Sequence, residues 1–446
     1  EISRGDWSSD VCSSDLAITH YFNPVRYMQL LEIVKGESTK PEVIECLSKF
    51  NEKEMGKGIV LCNDTPGFLG NRVGVFAIQT ALHKAFEMNL EPEEADAIFG
   101  RPMGIPKTGV FGLYDLIGID LMSDVAKSLI NILPKNDVFH EVSDEIPSMR
   151  KMMDEGLLGN KSTKGGFYRF KDPEDSTTRE TLDFCKFVYR KYNYSKPEIA
   201  VQAEMENDFT LLLESDDKYG RYAWEVLSNS LCYAADLVPE VNESLVAIDD
   251  AMKLGYNWIQ GPFEMIDSIG VNNFIERLEK ENRSIPKILH VARNKSFYRI
   301  ENNKLQYLLA TGEYENLKRE EGTRRFSEER RTKKPLFSNK VASYFEINDD
   351  IGMVEFHSKA NALDGESMKL LSDAIDHSEI NHRGMVIHND ASHFSCGVNL
   401  ERISDFIEVH DWDGLDAFLE HFQKTVKKMK YSDRKSTRLN SSHLLI

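Results

Sequence analysis

Two residues with complementary chemistry, His20 and Glu32, lie twelve positions apart near the start of this 446-residue chain. Glu32 interrupts the apolar run at 30–34, which is rich in leucine and β-branched residues and predicts a buried strand. A carboxylate inside such a strand costs several kcal/mol unless a partner offsets its desolvation. An imidazole held by a carboxylate gains basicity and a fixed tautomer, as a general base near neutral pH requires. The pair therefore predicts a proton-transfer site, although Glu32 could instead pair with a lysine or arginine and His20 could be a structural histidine.

The elements that must position this pair alternate between strand and helix. The apolar run at 30–34 is followed by a helical pattern at 41–55 and by a short apolar run at 58–61. Such an alternation is typical of the last part of a doubly wound α/β sheet. We therefore expect His20 and Glu32 to lie on a sheet.

Apolar residues at helical spacing follow from position 71 onward. They share one predicted helix face at Val75, Ile78, Leu82 and Phe86. Further helices are predicted at 91–99 and 114–133, and the charged stretch 171–217 is mostly helical in pattern. These elements predict a helical domain that closes over the site from one side.

A weak internal repeat places a second helical copy at 221–275. Residues 96–98 (Asp-Ala-Ile) match residues 250–252 (Asp-Ala-Met), and residues 111–118 match residues 263–270 at a similar offset. Chance rarely preserves the order of several matched positions, so two helical domains in tandem are predicted. The second copy is not expected to be catalytic, because no equivalent histidine motif precedes it.

Composition limits the class of protein. The chain has 73 acidic and 55 basic residues and a formal net charge of −18, which argues against a nucleic-acid-binding surface. No apolar run approaches the roughly 18 residues of a membrane span and no secretory leader is recognised, so a cytoplasmic protein is expected. The six cysteines lack metal-ligand spacing, which favours reduced thiols and predicts no metal site.

Three segments carry a resemblance to a known family. Residues 20–36, HYFNPVRYMQLLEIVKG, resemble the signature of the 3-hydroxyacyl-CoA dehydrogenase family. Residues 64–72, DTPGFLGNR, resemble a second motif of that family at a family-like separation. Residues 159–168, GNKSTKGGFY, resemble the end of its helical domain. The resemblance thus covers both the strand pattern and the first set of helices.

The resemblance implies a role for each polar residue of these motifs. His20 would take the proton from the 3-hydroxyl of the substrate, and Glu32 would orient the imidazole and stabilise its charge. Asn71 would help to hold the hydroxyl or carbonyl oxygen, and Asn23 would support the local turn and the pocket. Without the resemblance Asn71 would be interpreted as a helix cap, because it follows a Pro-Gly turn signal.

The family binds NAD on a Rossmann domain, where a glycine-rich turn after a strand brings backbone N–H groups to the pyrophosphate. No such GxGxxG motif occurs in this sequence, so the residues that bind the cofactor are unknown. We expect the chain to begin near the end of the NAD-binding domain and to be inactive alone. Residues 1–15 and 432–446 have the character of non-native tails, although native disordered tails are the alternative.

A different pattern follows residue 336. Strands are predicted at 344–347, 352–356 and 384–387, with a helix at 365–375. This order, ending in the segment FSCGVNL, resembles the start of the crotonase (enoyl-CoA hydratase) fold. The resemblance implies that the backbone N–H of Val398 supplies half of an oxyanion hole for a thioester oxygen. The alternative is that the preceding Gly397 is only a turn glycine.

Together these segments predict a multidomain protein that resembles the fused 3-hydroxyacyl-CoA dehydrogenase/enoyl-CoA hydratase proteins of bacterial fatty-acid β-oxidation. Its domains are the C-terminal part of a Rossmann-like α/β domain, two tandem all-α dehydrogenase C-terminal domains and the start of a crotonase fold. Their predicted bounds are 16–62, 63–170, 171–335 (with a linker) and 336–431.

The activity implied is NAD-dependent oxidation of (S)-3-hydroxyacyl-CoA to 3-ketoacyl-CoA. The alternatives are a hydratase or isomerase of the crotonase class and a non-catalytic acyl-CoA-binding module. The expected partners are the acyl-CoA substrate and either a second copy of the chain or a β-oxidation thiolase.

Overall fold

The computed structural model describes residues 15–172, 174–239, 241–319, 324–348, 350–389 and 394–432, together with the backbone of 435–440. The chain divides into two compact units: Glu1–Arg299 with Tyr307–Glu315, and Ile300–Gln306 with Asn316–Ile446. Apart from Asp15, Ser432 and the backbone of 435–440, the predicted terminal tails lie outside the described residues. Within the described part of the chain, no helix combines the length and the apolar character needed to cross a bilayer.

The first unit opens with a three-stranded sheet. Its strands are β1 (Ala17–Tyr21), β2 (Leu30–Lys35) and β3 (Gly58–Asn63), in that spatial order, and helix α1 (Pro41–Lys53) connects β2 to β3. β1 runs antiparallel to β2, whereas β2 and β3 are parallel, as a helical crossover requires. Because five of the six residues of β2 are buried, the apolar run forms the centre of this sheet. The predicted order of strand, helix and strand is confirmed.

Two sets of helices follow the sheet. The first set comprises α2 to α6, at Gly70–Glu87, Pro92–Ile98, Val110–Ile117, Ile119–Ile132 and Pro147–Glu155. Next come strands β4 to β6, at Tyr168–Phe170, Arg179–Asp183 and Val188–Lys191, and helices α7 and α8, at Glu198–Glu206 and Thr210–Glu214. The second set comprises α9 to α13, at Lys218–Asp236, Leu245–Tyr256, Pro262–Ile269, Val271–Lys280 and Lys287–Ala292. The long helices α2 and α9 pack on each other, where Phe76 stacks on Tyr233 with 4.0 Å between ring centroids.

The prediction of a mostly helical segment at 171–217 is wrong for its first half. Strands β4, β5 and β6 form an antiparallel sheet in that order. Thr181 and Leu182 are buried in β5, and β6 begins with Val188 and Tyr189, residue types that favour strands. The many charged residues between them obscured the two-residue period of these short strands.

Two aspartates, Asp96 and Asp115, tie the parts of the first helical set together. Asp96 in α3 accepts hydrogen bonds from the backbone N–H groups of Phe111 and Gly112 at 2.8 and 3.0 Å, and from the hydroxyl of Tyr168 at 2.8 Å. Asp115 in α4 accepts from the N–H groups of Phe167 and Tyr168, both at 2.8 Å. These bonds occupy amide donors at the start of α4 and close the loop that follows the helices.

The second helical set repeats this arrangement. Asp249 in α10 accepts from the N–H of Phe263 at 2.8 Å and from the hydroxyl of Tyr298 at 2.7 Å. Asp267 in α11 accepts from the N–H groups of Phe297 and Tyr298 at 2.7 and 2.8 Å. The repeat predicted from the sequence is therefore present in the first unit.

The match of residues 111–118 with 263–270 holds, since Asp115 and Asp267 make equivalent bonds, but the match of residues 96–98 with 250–252 is wrong by one residue. The structural counterpart of Asp96 is Asp249, whereas the sequence match selected Asp250. Asp250 instead lies 3.8 Å from the ammonium group of Lys253. The two aspartates are adjacent in sequence, and only the helix geometry decides which carboxylate faces the amides of the next helix.

Three strands, β7 (Tyr298–Glu301), β8 (Lys304–Leu308) and β9 (Tyr314–Asn316), form a sheet in that order after α13. Helix α14 spans Phe326–Glu329. The remaining strands β10 to β13 span Phe337–Ser338, Ala342–Asn348, Ile351–Phe356 and Gly384–Asn389, and α15 to α17 span Gly365–Asn381, Leu400–Glu408 and Trp412–Tyr431. The last strand, β14, spans Lys435–Asn440.

The sheet of the second unit has the order β10, β11, β12, β13 and β14. Its first three strands are antiparallel, and the last two pairings, β12 with β13 and β13 with β14, are parallel. Helix α15 connects β12 to β13, and its buried Met368, Leu371 and Ile375 pack in a core with Tyr344 and Val354. The strands and helix predicted at 344–387 are confirmed.

Candidate active site

The strand pair β1 and β2 brings His20 and Glu32 together. They are directly opposite each other in the antiparallel register, and His20 Nδ1 lies 2.7 Å from Glu32 Oε2. The side chain of Glu32 is fully buried, whereas that of His20 is 31% exposed. Among the described residues, Glu32 forms no ion pair with a lysine or arginine, which was the alternative partner. The predicted pairing of the two side chains is thus present, and their catalytic role stays a prediction.

The second oxygen of Glu32 lies at the start of helix α2. Glu32 Oε1 accepts hydrogen bonds from the backbone N–H groups of Leu69 at 3.0 Å and of Gly70 at 2.7 Å. The residue at the N-cap is Leu69, whose side chain cannot accept a hydrogen bond, so Glu32 serves the orphan amides of this helix. These bonds and the bond to His20 offset the desolvation of a wholly buried carboxylate.

Sequence reasoning missed these amide donors, although the second family-like motif contains them. A Cβ atom at Gly70 would lie 2.7 Å from a ring carbon of Phe22 and 3.4 Å from Glu32 Oε1. The glycine therefore allows the backbone of α2 to approach both the carboxylate and the aromatic ring. A glycine directly before a helical pattern was the available signal.

Cys62 in β3 is a third donor to Glu32 Oε1, after the amides of Leu69 and Gly70. Its thiol lies 3.6 Å from Glu32 Oε1 and is buried. Burial, together with the nearby charge of Glu32, raises the pKa of the Cys62 thiol well above its ordinary value. The thiol therefore remains protonated and inert as a nucleophile, and it acts only as a weak hydrogen-bond donor.

Aromatic rings hold the imidazole of His20 in place. The ring centroids of Phe22 and Phe68 lie 5.1 and 5.6 Å from that of His20. Because Nδ1–H donates to the carboxylate, the tautomer leaves a lone pair on Nε2. Among the described residues no hydrogen-bond partner faces Nε2, so this nitrogen can accept a proton from a bound molecule.

Asn71 is the second residue of α2 and is not its N-cap, so the interpretation of Asn71 as a helix cap is wrong. Its Oδ1 atom instead lies 3.1 Å from the hydroxyl of Tyr256, a residue of the second helical set. Asn71 follows Gly70 directly, and Gly70 is bonded to Glu32. Asn71 is thus the residue next to the amide that holds Glu32, and its contact with a substrate oxygen stays a prediction.

Asn23 lies in the turn after β1 and is exposed. The carbonyl of Pro24 accepts from the N–H groups of Tyr27 and Met28 at 2.9 and 3.0 Å, which closes the turn. The ammonium group of Lys57 donates to the carbonyls of Val25 and Met28 and anchors the same turn, and burial lowers the pKa of Lys57. No described residue accepts or donates a hydrogen bond to the Asn23 side chain, and its role in the pocket stays a prediction.

Val398 belongs to the second unit. The neighbouring backbone forms a bridge in which Leu363 N donates to Gly397 O and Asn399 N donates to Leu363 O, both at 2.8 Å. No described residue accepts from the N–H of Val398. Gly397 has a φ of +91°, a conformation that favours glycine, so it is a turn glycine as well as the residue that precedes this free amide.

Two models of known protein domains match the part of the chain that contains the His20–Glu32 pair. Residues 11–65 match the family model described as 3-hydroxyacyl-CoA dehydrogenase, NAD binding domain, and residues 67–169 match that described as 3-hydroxyacyl-CoA dehydrogenase, C-terminal domain. The strand pair and the first helical set therefore lie within regions that match the two domain models of this dehydrogenase family. This part of the chain belongs to the 3-hydroxyacyl-CoA dehydrogenase family.

Relatives extend the similarity along the chain. A protein of Bacillus subtilis (strain 168) named "Probable 3-hydroxyacyl-CoA dehydrogenase" is 33% identical over 93% of this chain and 52% of its own length. A protein of Rickettsia prowazekii (strain Madrid E) named "Putative fatty acid oxidation complex trifunctional enzyme" is 34% identical over 94% of this chain and 54% of its own length. The chain thus spans about half the length of these relatives. A crystal structure of 3-hydroxybutyryl-CoA dehydrogenase from Escherichia coli is 22% identical, with a TM-score of 0.43, over 61% of this chain and 69% of that chain.

The described residues do not form a cradle for the pyrophosphate of NAD. The connection from β2 to α1 contains one glycine, Gly36, and its N–H donates to the hydroxyl of Thr39 at 2.9 Å. Helix α1 begins with Pro41, which has no N–H to offer a phosphate. The residues that match the NAD binding domain are therefore those of the part that contains His20 and Glu32.

Proposed function

We propose that this chain provides the acid–base half of an NAD-dependent oxidation of (S)-3-hydroxyacyl-CoA to 3-ketoacyl-CoA. The observation that carries the proposal is the hydrogen bond of 2.7 Å between His20 Nδ1 and Glu32 Oε2, with Nε2 unpartnered among the described residues. A base in this arrangement can accept the proton of a secondary alcohol near neutral pH. The matches to both dehydrogenase domains support this reaction class.

His20 and Glu32 act as a unit in the proposed step. The 3-hydroxyl of the substrate donates to Nε2, and the proton moves to that nitrogen as the carbon–oxygen bond gains double-bond character. The resulting imidazolium lies beside a buried carboxylate, which stabilises its charge. The amides of Leu69 and Gly70 hold the carboxylate, so the imidazole keeps one orientation throughout.

Asn71 is the proposed donor to the substrate oxygen. Its Oδ1 is occupied by Tyr256, which directs the amide N–H groups away from that contact. A donor at this position would stabilise negative charge on the oxygen as its proton leaves. Asn23 would support the turn that borders the same pocket.

NAD is the proposed hydride acceptor, because the family model that residues 11–65 match is an NAD binding domain. The carbon-bound hydrogen of the substrate would leave as hydride to a nicotinamide. The steps assigned to this chain are the proton transfer at His20 and the positioning of the substrate oxygen. The proposed place of the reaction is fatty-acid oxidation in the cytoplasm, with a second copy or a β-oxidation thiolase as the proposed protein partner.

A second function is proposed for the second unit, as the start of a crotonase fold. The N–H of Val398, which follows the left-handed Gly397 and has no acceptor among the described residues, is the observation that favours it. One amide is half of an oxyanion hole, since an enolate needs two converging donors. The proposal predicts a second acyl-CoA-binding site in this chain, which calorimetry should detect and which deletion of residues 316–446 should remove. An unchanged number of sites after the deletion would refute it.

The dehydrogenase proposal is tested by NADH formation from (S)-3-hydroxybutyryl-CoA. The chain alone is expected to show none, whereas a chimera that places the NAD-binding segment of the Bacillus subtilis relative before Leu16 is expected to be active. In the chimera, His20→Gln should lower kcat by about 10²–10⁴-fold, the usual contribution of a general base. The matched control is His290→Gln, an exposed histidine of the second helical set. Full activity of the His20→Gln chimera would refute the proposal.

A further inference from the structure

The second helical set provides a wall of the candidate active site. Helix α10 packs against α2 and against strands β2 and β3. Its last turn contains Gly255 and Tyr256. The ring of Tyr256 lies 5.8 Å from that of Phe22, edge to face, and Phe22 in turn contacts the imidazole of His20.

This contact depends on a length difference between the two helical sets. Helix α3 ends at Ile98, two residues after its buried aspartate, whereas α10 continues for seven residues after Asp249. The extra turn carries Tyr256 to the start of α2. The first set has no counterpart of this extension.

Glycines create the space for the extension. A Cβ atom at Gly74 in α2 would lie 2.0 Å from the ring of Tyr256, and one at Gly255 would lie 2.5 Å from the side chain of Leu30. A larger residue at Gly74 would push Tyr256 away from α2, and one at Gly255 would push α10 away from the strand pair. The position of Tyr256 against α2 therefore depends on these two glycines.

From this arrangement we propose that Tyr256 is a positioning residue for Asn71. The tyrosine hydroxyl donates to Asn71 Oδ1 at 3.1 Å, which fixes the amide so that its N–H groups face the substrate oxygen. In its absence the amide can rotate and present its carbonyl to that oxygen, which would repel it. The inference rests on the proposed role of Asn71 in the dehydrogenase site.

The environment of Tyr256 keeps it a donor. Burial, with the nearby charge of Glu32, raises the pKa of the Tyr256 phenol above its ordinary value. The hydroxyl therefore keeps its proton over the whole working range, and Asn71 Oδ1 is the acceptor placed within its reach.

The test compares two ligands that differ only at the 3-position. Acetoacetyl-CoA carries a 3-oxygen, whereas butyryl-CoA does not, and calorimetry on the full chain measures the Kd of each without NAD. Tyr256→Phe should weaken acetoacetyl-CoA binding about fivefold, as expected for one lost hydrogen bond, and leave butyryl-CoA binding unchanged. Tyr222→Phe is the matched control, because that hydroxyl also bonds to α2, at the Ala81 carbonyl, but lies away from the site.

A double-mutant cycle with Asn71→Ala separates positioning from general damage. If Tyr256 acts through Asn71, adding Tyr256→Phe to Asn71→Ala should cause no further loss. Equal weakening of both ligands by Tyr256→Phe, or an additive loss in the double variant, would overturn the inference alone. If the wild-type chain does not prefer acetoacetyl-CoA and His20→Gln has no effect in the chimera, the proposed function itself fails. Thermal unfolding of Tyr256→Phe and Tyr222→Phe sets a temperature at which both variants are folded for the comparison.

Discussion

The two helical sets begin with similar long helices that have different N-termini. Helix α9 is capped by its own Asp217, whose side chain accepts from the N–H groups of Tyr219 and Gly220, both at 2.8 Å. Helix α2 begins after Leu69 and has no side-chain cap of its own. Its amides are instead bonded to Glu32, a residue of the sheet. In the second set the helix start is bonded to its own Asp217, whereas in the first set it is bonded to the buried carboxylate of Glu32.

The two helical sets share the contacts that close their loops but differ in what they contribute near Glu32. Both sets keep the aspartates whose bonds to backbone amides close their loops, so both keep the same structural contact. Only the first helical set has a helix N-terminus bonded to the His20–Glu32 pair. The second helical set contributes the longer helix α10. The expectation that the second copy has no catalytic role stays a prediction, and its Tyr256 contacts Asn71 and Phe22 of the candidate site.

The largest effect should come from Glu32, the carboxylate that is bonded to the start of α2 but not to the start of α9. Glu32→Gln removes the charge beside His20 and places an amide group against the N–H donors of α2. We expect kcat in the chimera to fall at least about 100-fold and the free energy of unfolding to fall by about 2–4 kcal/mol, since a buried network is broken. Turnover measurements and urea unfolding give the two values. An active, equally stable variant would show that Glu32 is not essential to either.

The next largest effect should be on the unfolding free energy, when the aspartates that close the loops of the two helical sets are replaced. Asp115→Asn and Asp267→Asn each leave one buried backbone N–H without an acceptor, and each should cost about 1–3 kcal/mol of unfolding free energy. Urea denaturation measures both. If the two copies are equivalent in folding, the losses should agree to within about 1 kcal/mol. A large loss for one variant and none for the other would break the comparison between the copies.

The first set should also make stability depend on pH. Burial raises the pKa of both Asp96 and Asp115 to about 7, against roughly 3.9 for an aspartate in an unfolded chain. The folded state then binds more protons between these values, so the unfolding free energy falls as pH rises. The change is about 1 kcal/mol for each carboxyl between pH 6 and 7. Asp96→Asn, which cannot titrate, should show a shallower slope than the wild type in urea unfolding at these two pH values, and an equal slope would contradict the assignment.

The smallest effect should come from the self-capped helix. Asp217→Ala removes the cap of α9 and should cost about 1 kcal/mol of unfolding free energy. Acetoacetyl-CoA binding should be unchanged, because Asp217 serves only its own helix. Loss of binding in this variant would mean that the start of α9 is linked to the site after all.

Much of the site could be predicted from residue types and spacing. A lone carboxylate in the apolar strand β2 needs a partner, and the antiparallel register places His20 directly opposite it. The strands and helix at 344–387 also followed from their periods. Short, highly charged strands such as β5 and β6 could not be predicted, because their alternation covers too few residues to outweigh the helical pattern around them.

The sequence by itself predicted that the buried Glu32 needs a partner and offered His20 as the candidate, because strand patterns and the cost of a buried charge are local properties. It also determined that the helices are duplicated. Only the tertiary structure decided which aspartate of the second copy matches Asp96, that the amides of α2 hold Glu32, and that Tyr256 reaches Asn71 across 185 positions. These contacts join segments far apart in sequence, and they depend on how closely glycines let helices approach, which no local pattern records.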